Sequence, residues 1–68
     1  MGMNKKDILV RWLIDSNLMD EDEIENGCRT FHVLTDNLIA SSYDDESVFV
    51  YKVGDDLTIE LVSEIYDH

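Results

Sequence analysis

Three consecutive acids, Asp44, Asp45 and Glu46, stand directly before an apolar run at residues 47–51. Neighbouring carboxylates do acid–base chemistry where burial in a cleft drives their pKa values apart. Such burial is scarce here, because a chain of about this length buries only about 60% of the surface that its unfolded form exposes. We therefore interpret the cluster as a surface that meets positive charge, with a solubilising turn as the simpler alternative.

Metal ligation and nucleophilic catalysis both lack their usual sequence signals. The two histidines are far apart and Cys28 is the sole cysteine, so no zinc-binding spacing is present. The acids at 20–25 depart from a calcium loop, since Ile24 occupies a ligand position. Ser47 lacks a glycine-rich nucleophile elbow. The sequence therefore predicts a protein that is not an enzyme and that holds no metal and no cofactor.

Negative charge dominates the composition. Sixteen acids against five bases give a net charge of −11, and beyond Trp12 the bases are Arg29 and Lys52. A field of this sign disfavours nucleic acid and anionic membranes and favours basic proteins as partners. Eleven charges correspond to roughly 19 Å of duplex DNA at about one charge per 1.7 Å. A globule of this length is about 28 Å across, so the charge density is of DNA-like order.

A second acidic patch precedes the first along the chain. Its members are Asp20, Glu21, Asp22, Glu23 and Glu25. Asp20 and Glu23 have the spacing of a capping box, and acids are favoured in the first turn of a helix. Gly27 is placed to end that turn. We expect a short acidic helix or turn here.

An N-terminal helix is predicted before this patch. Asn4 can cap it, and Leu9, Trp12 and Leu13 share one helical face. The stretch 8–14 is apolar on its other sides as well, which favours either a sheet that wraps the helix or a homodimer contact.

From Cys28 onward the apolar residues alternate, which predicts four antiparallel strands separated by turns. The alternation places Phe31 and Val33 on one face of their strand. It places Phe49, Tyr51 and Val53 on one face of the third strand, and it points Leu57, Ile59 and Leu61 inward. Val48 and Val50 then need cover on the opposite face. Residues 57–66 also fit a helix, but their β-branched residues favour a strand. The predicted fold class is α+β: one domain of residues 1–68, with 1–3 outside its folded part, in which both helical segments pack on a four-stranded antiparallel sheet.

Glu46, Ser47 and Val48 resemble the Glu-Ser-aliphatic motif of uracil-DNA glycosylase inhibitors, which are small, acidic, phage-type DNA mimics. In that family the motif enters an edge strand, and its acid and hydroxyl lie against the DNA-binding cleft of the enzyme. An apolar pocket behind the motif holds the leucine that the enzyme wedges into the duplex. In the best-known member an acidic helix follows the motif strand, whereas the acidic segment 20–25 precedes it here.

The resemblance implies an inhibitor that replaces DNA in the cleft of uracil-DNA glycosylase. The partner-binding residues that it implies are Asp44, Asp45, Glu46, Ser47, Val48, Phe49, Val50 and Tyr51. The acids would replace phosphates, Val48 and Val50 would cover the wedge leucine, and Phe49 or Tyr51 would help to hold it. The alternatives are an acidic adaptor or antitoxin that neutralises another basic protein, and a homodimeric structural protein.

The sequence also carries signals of compartment. One cysteine cannot form an internal disulfide, and no apolar run is long enough to span a membrane. The first residues lack the pattern of a signal peptide. We expect a reduced, cytoplasmic protein, located in a host cell if it is phage-encoded.

Overall fold

The computed structural model describes residues 4–43 and 47–65, which form two helices and one sheet. In chain order the elements are α1 (Lys5–Asp15), α2 (Glu21–Glu25), β1 (Arg29–Val33), β2 (Leu38–Tyr43), β3 (Val48–Val53) and β4 (Ile59–Ile65). The strands pair antiparallel in the order β1-β2-β3-β4. The predicted α+β fold with a four-stranded meander is confirmed, and residues 59–65 form a strand rather than a helix.

The ends of both helices follow the local sequence. The side chain of Asn4 accepts a hydrogen bond of 2.9 Å from the backbone N–H of Asp7 and so caps α1. At α2 the carboxylate of Glu23 accepts a bond of 2.8 Å from the backbone N–H of Asp20. Gly27 follows α2 in the left-handed region, at φ 76°. The predicted caps are therefore confirmed.

One face of the sheet packs on α1. The buried cluster comprises Leu9, Leu13, Met19, Ile39, Tyr51 and Val53. Trp12, which the sequence places on the same helical face as Leu9 and Leu13, stays 38% exposed. Leu9 and Leu13 are one turn apart and define the centre of the buried stripe. Trp12 lies at the flank of that stripe, where it borders a groove with Leu57 and Ile59.

The prediction that Leu57 points into the core was wrong. Leu57 precedes β4 in the left-handed region, at φ 67°, and is 56% exposed. Ile59 does pack against the core, as predicted. Leu61 pairs with Tyr51 beside a β-bulge and remains 44% exposed. The bulge interrupts the alternation of β4, so a strict period of two overestimates how much of this strand is buried.

The other face of the sheet carries neither α1 nor α2 in the described part of the chain. By register this open sheet face holds Thr30, His32, Leu38, Ala40, Ser42, Val48, Val50, Lys52, Glu60, Ser63 and Ile65. Val48 and Val50 are half-buried here, opposite in direction to Phe49 and Tyr51. The predicted division of β3 between two faces is confirmed.

Candidate functional site

A groove of about 370 Å³ lies between α1 and α2. Its lining residues are Asp7, Val10, Arg11, Ile14, Glu21, Ile24 and Glu25. Three are aliphatic, three are acidic and one is basic. The α1–α2 groove therefore joins an apolar hollow to a rim of predominantly negative charge.

The connection between the two helices brings α2 back beside α1. Ser16 ends α1, and Asn17 takes the left-handed conformation at φ 61°. The next backbone N–H, that of Leu18, donates to the carbonyl of Leu13 at 2.9 Å, a closure typical of helix C-termini. Met19 is then buried in the core and anchors the start of α2.

Two flanks of helix supply the apolar lining of this groove. Val10 and Ile14 are four residues apart on α1, on the side away from Trp12, so they share one flank. Ile24 is the aliphatic residue of α2 and is 38% exposed. The sequence interpretation missed this site. The available signal was a pair of aliphatic residues at i and i+4 outside the main buried stripe, together with an isolated isoleucine among acids.

The acids of α2 have no cationic neighbour in the local sequence. The five acids of the second patch lie within six residues, and residues 12–28 contain no lysine or arginine. All five belong to α2 or its N-cap, and all but Glu23 are exposed. Like charges this close repel one another, so a cation brought to α2 would relieve that repulsion.

Other acids are partly offset within the fold. The ammonium of Lys5 lies 2.7 Å from the carboxylate of Asp55 and also donates to the side chain of Asn37. The pKa of Asp56 is lowered because the hydroxyl and backbone N–H of Thr58 both donate to its carboxylate. In this turn Asp55 therefore has a cationic partner, whereas hydrogen bonds hold Asp56 in its charged form.

Arg29 is one of the two bases beyond Trp12, and it is used inside the protein. Its side chain is 3% exposed and donates from Nε to the Ser41 hydroxyl at 2.6 Å. The guanidinium lies over the rings of Tyr43, at 4.4 Å, and Phe31, at 5.5 Å. This guanidinium is therefore committed to contacts inside the fold.

The partner-binding residues predicted in β3 are distributed over two faces. Ser47 is 6% exposed, and Tyr51 is in the core against α1, which leaves it unavailable to a partner. Phe49 is half-buried on the same face and meets Tyr43 edge to face at 5.6 Å. Val48 and Val50 belong to the open sheet face.

The setting of the motif also differs from the one that the resemblance implies. β3 lies between β2 and β4, so Ser47 and Val48 enter an inner strand and not an edge strand. Asp44, Asp45 and Glu46 lie outside the described residues. The described acids and the apolar hollow therefore meet at the α1–α2 groove instead of along β3.

Within residues 4–43 and 47–65, no group of three or more metal-ligating side chains is found. None of the helices described is both long and apolar enough to cross a membrane. Comparisons with protein-family models, with curated proteins and with solved structures find no match for this chain.

Proposed function

We propose that this protein is a non-catalytic inhibitor that mimics DNA and occupies the cationic DNA-binding cleft of another protein. The observation that carries the proposal is the α1–α2 groove, in which an aliphatic floor is bordered by three carboxylates and one arginine, Arg11. Acidity alone is typical of many soluble proteins. An acidic rim around an apolar hollow matches both properties of a cleft that grips phosphates and inserts an apolar side chain.

Each half of the groove has its own role in the complex. Carboxylates of Glu21 and Glu25 take the place of phosphate oxygens and accept hydrogen bonds from lysine, arginine and backbone N–H groups. Val10, Ile14 and Ile24 receive an apolar side chain of the partner. Long-range attraction speeds the encounter, whereas the desolvated apolar contact slows release.

The first target to assay is uracil-DNA glycosylase, because the Glu46–Ser47–Val48 motif resembles that of its inhibitors. Enzymes of this class flip a base out of the stack and hold the flanking backbone, so their clefts combine cationic and apolar elements. In this proposal the second acidic patch, at α2, contacts the enzyme together with the acids at 44–46, whereas Ser47 is buried and Val48 belongs to the open sheet face.

Excision of uracil from DNA should fall to background when the protein is added in equimolar amount to uracil-DNA glycosylase. Glu25→Lys should weaken the inhibition at least tenfold, because it puts a cation on the rim where the enzyme also presents cations. Asp36→Lys is the matched control: it makes the same charge change at an exposed turn residue that does not line the groove. Excision rates with increasing inhibitor give the comparison.

Three results would contradict the proposal in different ways. Full excision with the unaltered protein removes this enzyme as the target. Equal losses for Glu25→Lys and Asp36→Lys show that overall charge, and not the groove, is recognised. An affinity that does not fall with added salt is incompatible with contacts between carboxylates and exposed cations, which ions screen.

A second candidate function is a homodimeric structural protein. The observation that favours it is the open sheet face, where Val48 and Val50 lie half-buried and Ile65 is 52% exposed. In this alternative the acids serve solubility, and no basic partner is required.

A further inference from the structure

The open sheet face differs in charge from the rest of the surface. Among the described residues assigned to it by register, the formal charges at pH 7 are those of Lys52 and Glu60. These two residues are direct cross-strand partners. The face is therefore neutral in sum, whereas the whole chain carries −11.

An apolar stripe crosses this face, in which Ala40 is 7% exposed, Leu38, Val48 and Val50 are half-buried and Ile65 is 52% exposed. Val50 pairs with Ala40, and Val48 pairs with Ile65 on the other side. Val48 and Val50 are two residues apart on β3, so their side chains are neighbours on the same face. Leu38 extends the stripe along β2 from Ala40. Covering such a stripe is favourable by about 25 cal/mol for each Å² of apolar surface removed from water.

The charge pattern distinguishes between possible occupants of this face. A basic partner gains most at α2, where acids outnumber bases, and gains little at a neutral surface. Two copies that each carry −11 repel one another least where the local charge is zero. A two-fold axis also lets Lys52 of each copy approach Glu60 of the other.

We propose that the open sheet face binds a second copy of this chain, face to face about a two-fold axis. α1 packs on the opposite face of the sheet, so the α1–α2 groove of each copy stays outside this interface. Four strands of this length present a footprint of about 300 Å² at ordinary strand spacing. Stable interfaces bury roughly 800 Å² per partner, so we expect a reversible dimer whose population depends on concentration.

Sedimentation equilibrium of the intact chain over a wide range of concentration tests this proposal. The unaltered protein should convert from monomer to dimer as its concentration rises. Val50→Lys should shift the midpoint at least tenfold toward higher concentration, because it buries an unpaired charge in the interface. Val33→Lys is the control, since Val33 is a valine that is 60% exposed on the opposite face of the same sheet.

Charge variants at Lys52 and Glu60 test the same interface without altering its apolar stripe. Lys52→Glu and Glu60→Lys should each weaken the dimer, since each gives the face two like charges. The double swap restores neutrality and should restore dimerisation. If repulsion between the net charges of the two copies governed association instead, Glu60→Lys would strengthen the dimer, because it makes the net charge less negative.

Three outcomes would overturn the proposal. A monomer at every concentration leaves the face to a different occupant. A dimer that Val50→Lys and the rim variants leave unchanged has its interface elsewhere. A dimer that Glu60→Lys strengthens is governed by overall charge and not by this face.

Discussion

The turn before β4 changes the pKa of one carboxyl group, that of Asp56. The Thr58 hydroxyl donates to its Oδ1 at 2.8 Å, and the Thr58 backbone N–H does so at 3.2 Å. These bonds favour the charged form and lower the pKa of Asp56 below its ordinary value of 3.8. A folded-state pKa below the unfolded one stabilises the fold above about pH 3.8. That stabilisation is lost as the pH falls through the lowered pKa.

Thr58→Val should raise the pKa of Asp56 toward 3.8, because the side-chain hydrogen bond is the largest cause of the shift. An NMR titration of the Asp56 carboxyl carbon measures it. Thr35→Val is the control, since the Thr35 hydroxyl accepts from the backbone of Asn37 and Leu38 in a different turn. An unchanged titration in Thr58→Val would assign the shift to another group.

Leu57 occupies a backbone conformation that suits other residues better. Its φ of 67° lies in the left-handed region, where a side chain with a Cβ costs roughly 1–2 kcal/mol and asparagine is tolerated well. Leu57→Asn should therefore stabilise the protein by about 1 kcal/mol, as measured by urea unfolding. Leu18→Asn is the control, because Leu18 has the same exposure of 56% without a positive φ. Equal effects of the two substitutions would remove backbone strain as the cause.

At the scale of elements, α1 is held to the sheet mainly by two leucines. Leu9 and Leu13 are both fully buried. Leu13→Ala should cost about 2–5 kcal/mol, because it removes apolar contacts and leaves a cavity. Leu34→Ala should cost below about 1 kcal/mol, since Leu34 is 55% exposed. Chemical denaturation of both variants gives the difference, and similar losses would mean that α1 is not anchored as described.

Local signals in the sequence were sufficient to predict the elements and the caps of both helices. Asn4, Asp20 and Gly27 act within a few residues, and alternation along β3 divides its two faces correctly. The errors arose where the exposure of a residue depends on features outside its own stretch of sequence. The β-bulge in the β3–β4 pairing changes the exposure of Leu61, and no periodicity announces it.

Only part of the candidate site was predicted, because the rest depends on how the two helices meet. The acids of α2 are evident in the sequence, and we predicted them as a secondary patch. The hollow beside them depends on the reversal at Asn17, which places Ile24 near Val10 and Ile14. A sequence pattern does not specify the angle at which two short helices meet, so the sequence alone did not predict the groove.

At the scale of the whole molecule, the acids among residues 4–43 and 47–65 are not spread evenly. An acidic cluster lies at α2, further acids occupy the turn before β4, and the described part of the open sheet face is neutral in sum. Net charge can be read from composition, but its distribution follows from which residues share a face. The proposed basic partner and the proposed second copy would therefore contact separate surfaces of this protein.

The order of the strands has a consequence for how the chain folds. Each strand pairs with its neighbour in sequence, so the sheet can form through successive local hairpins. Docking of α1 is the distant step, since Lys5 meets Asn37 and Asp55 across 32 and 50 residues. We expect the hairpins to form before the helix docks, because closing long loops delays folding. Alanine variants in α1 should then accelerate unfolding while barely slowing refolding in stopped-flow experiments, and slowed refolding would place the helix in the nucleus.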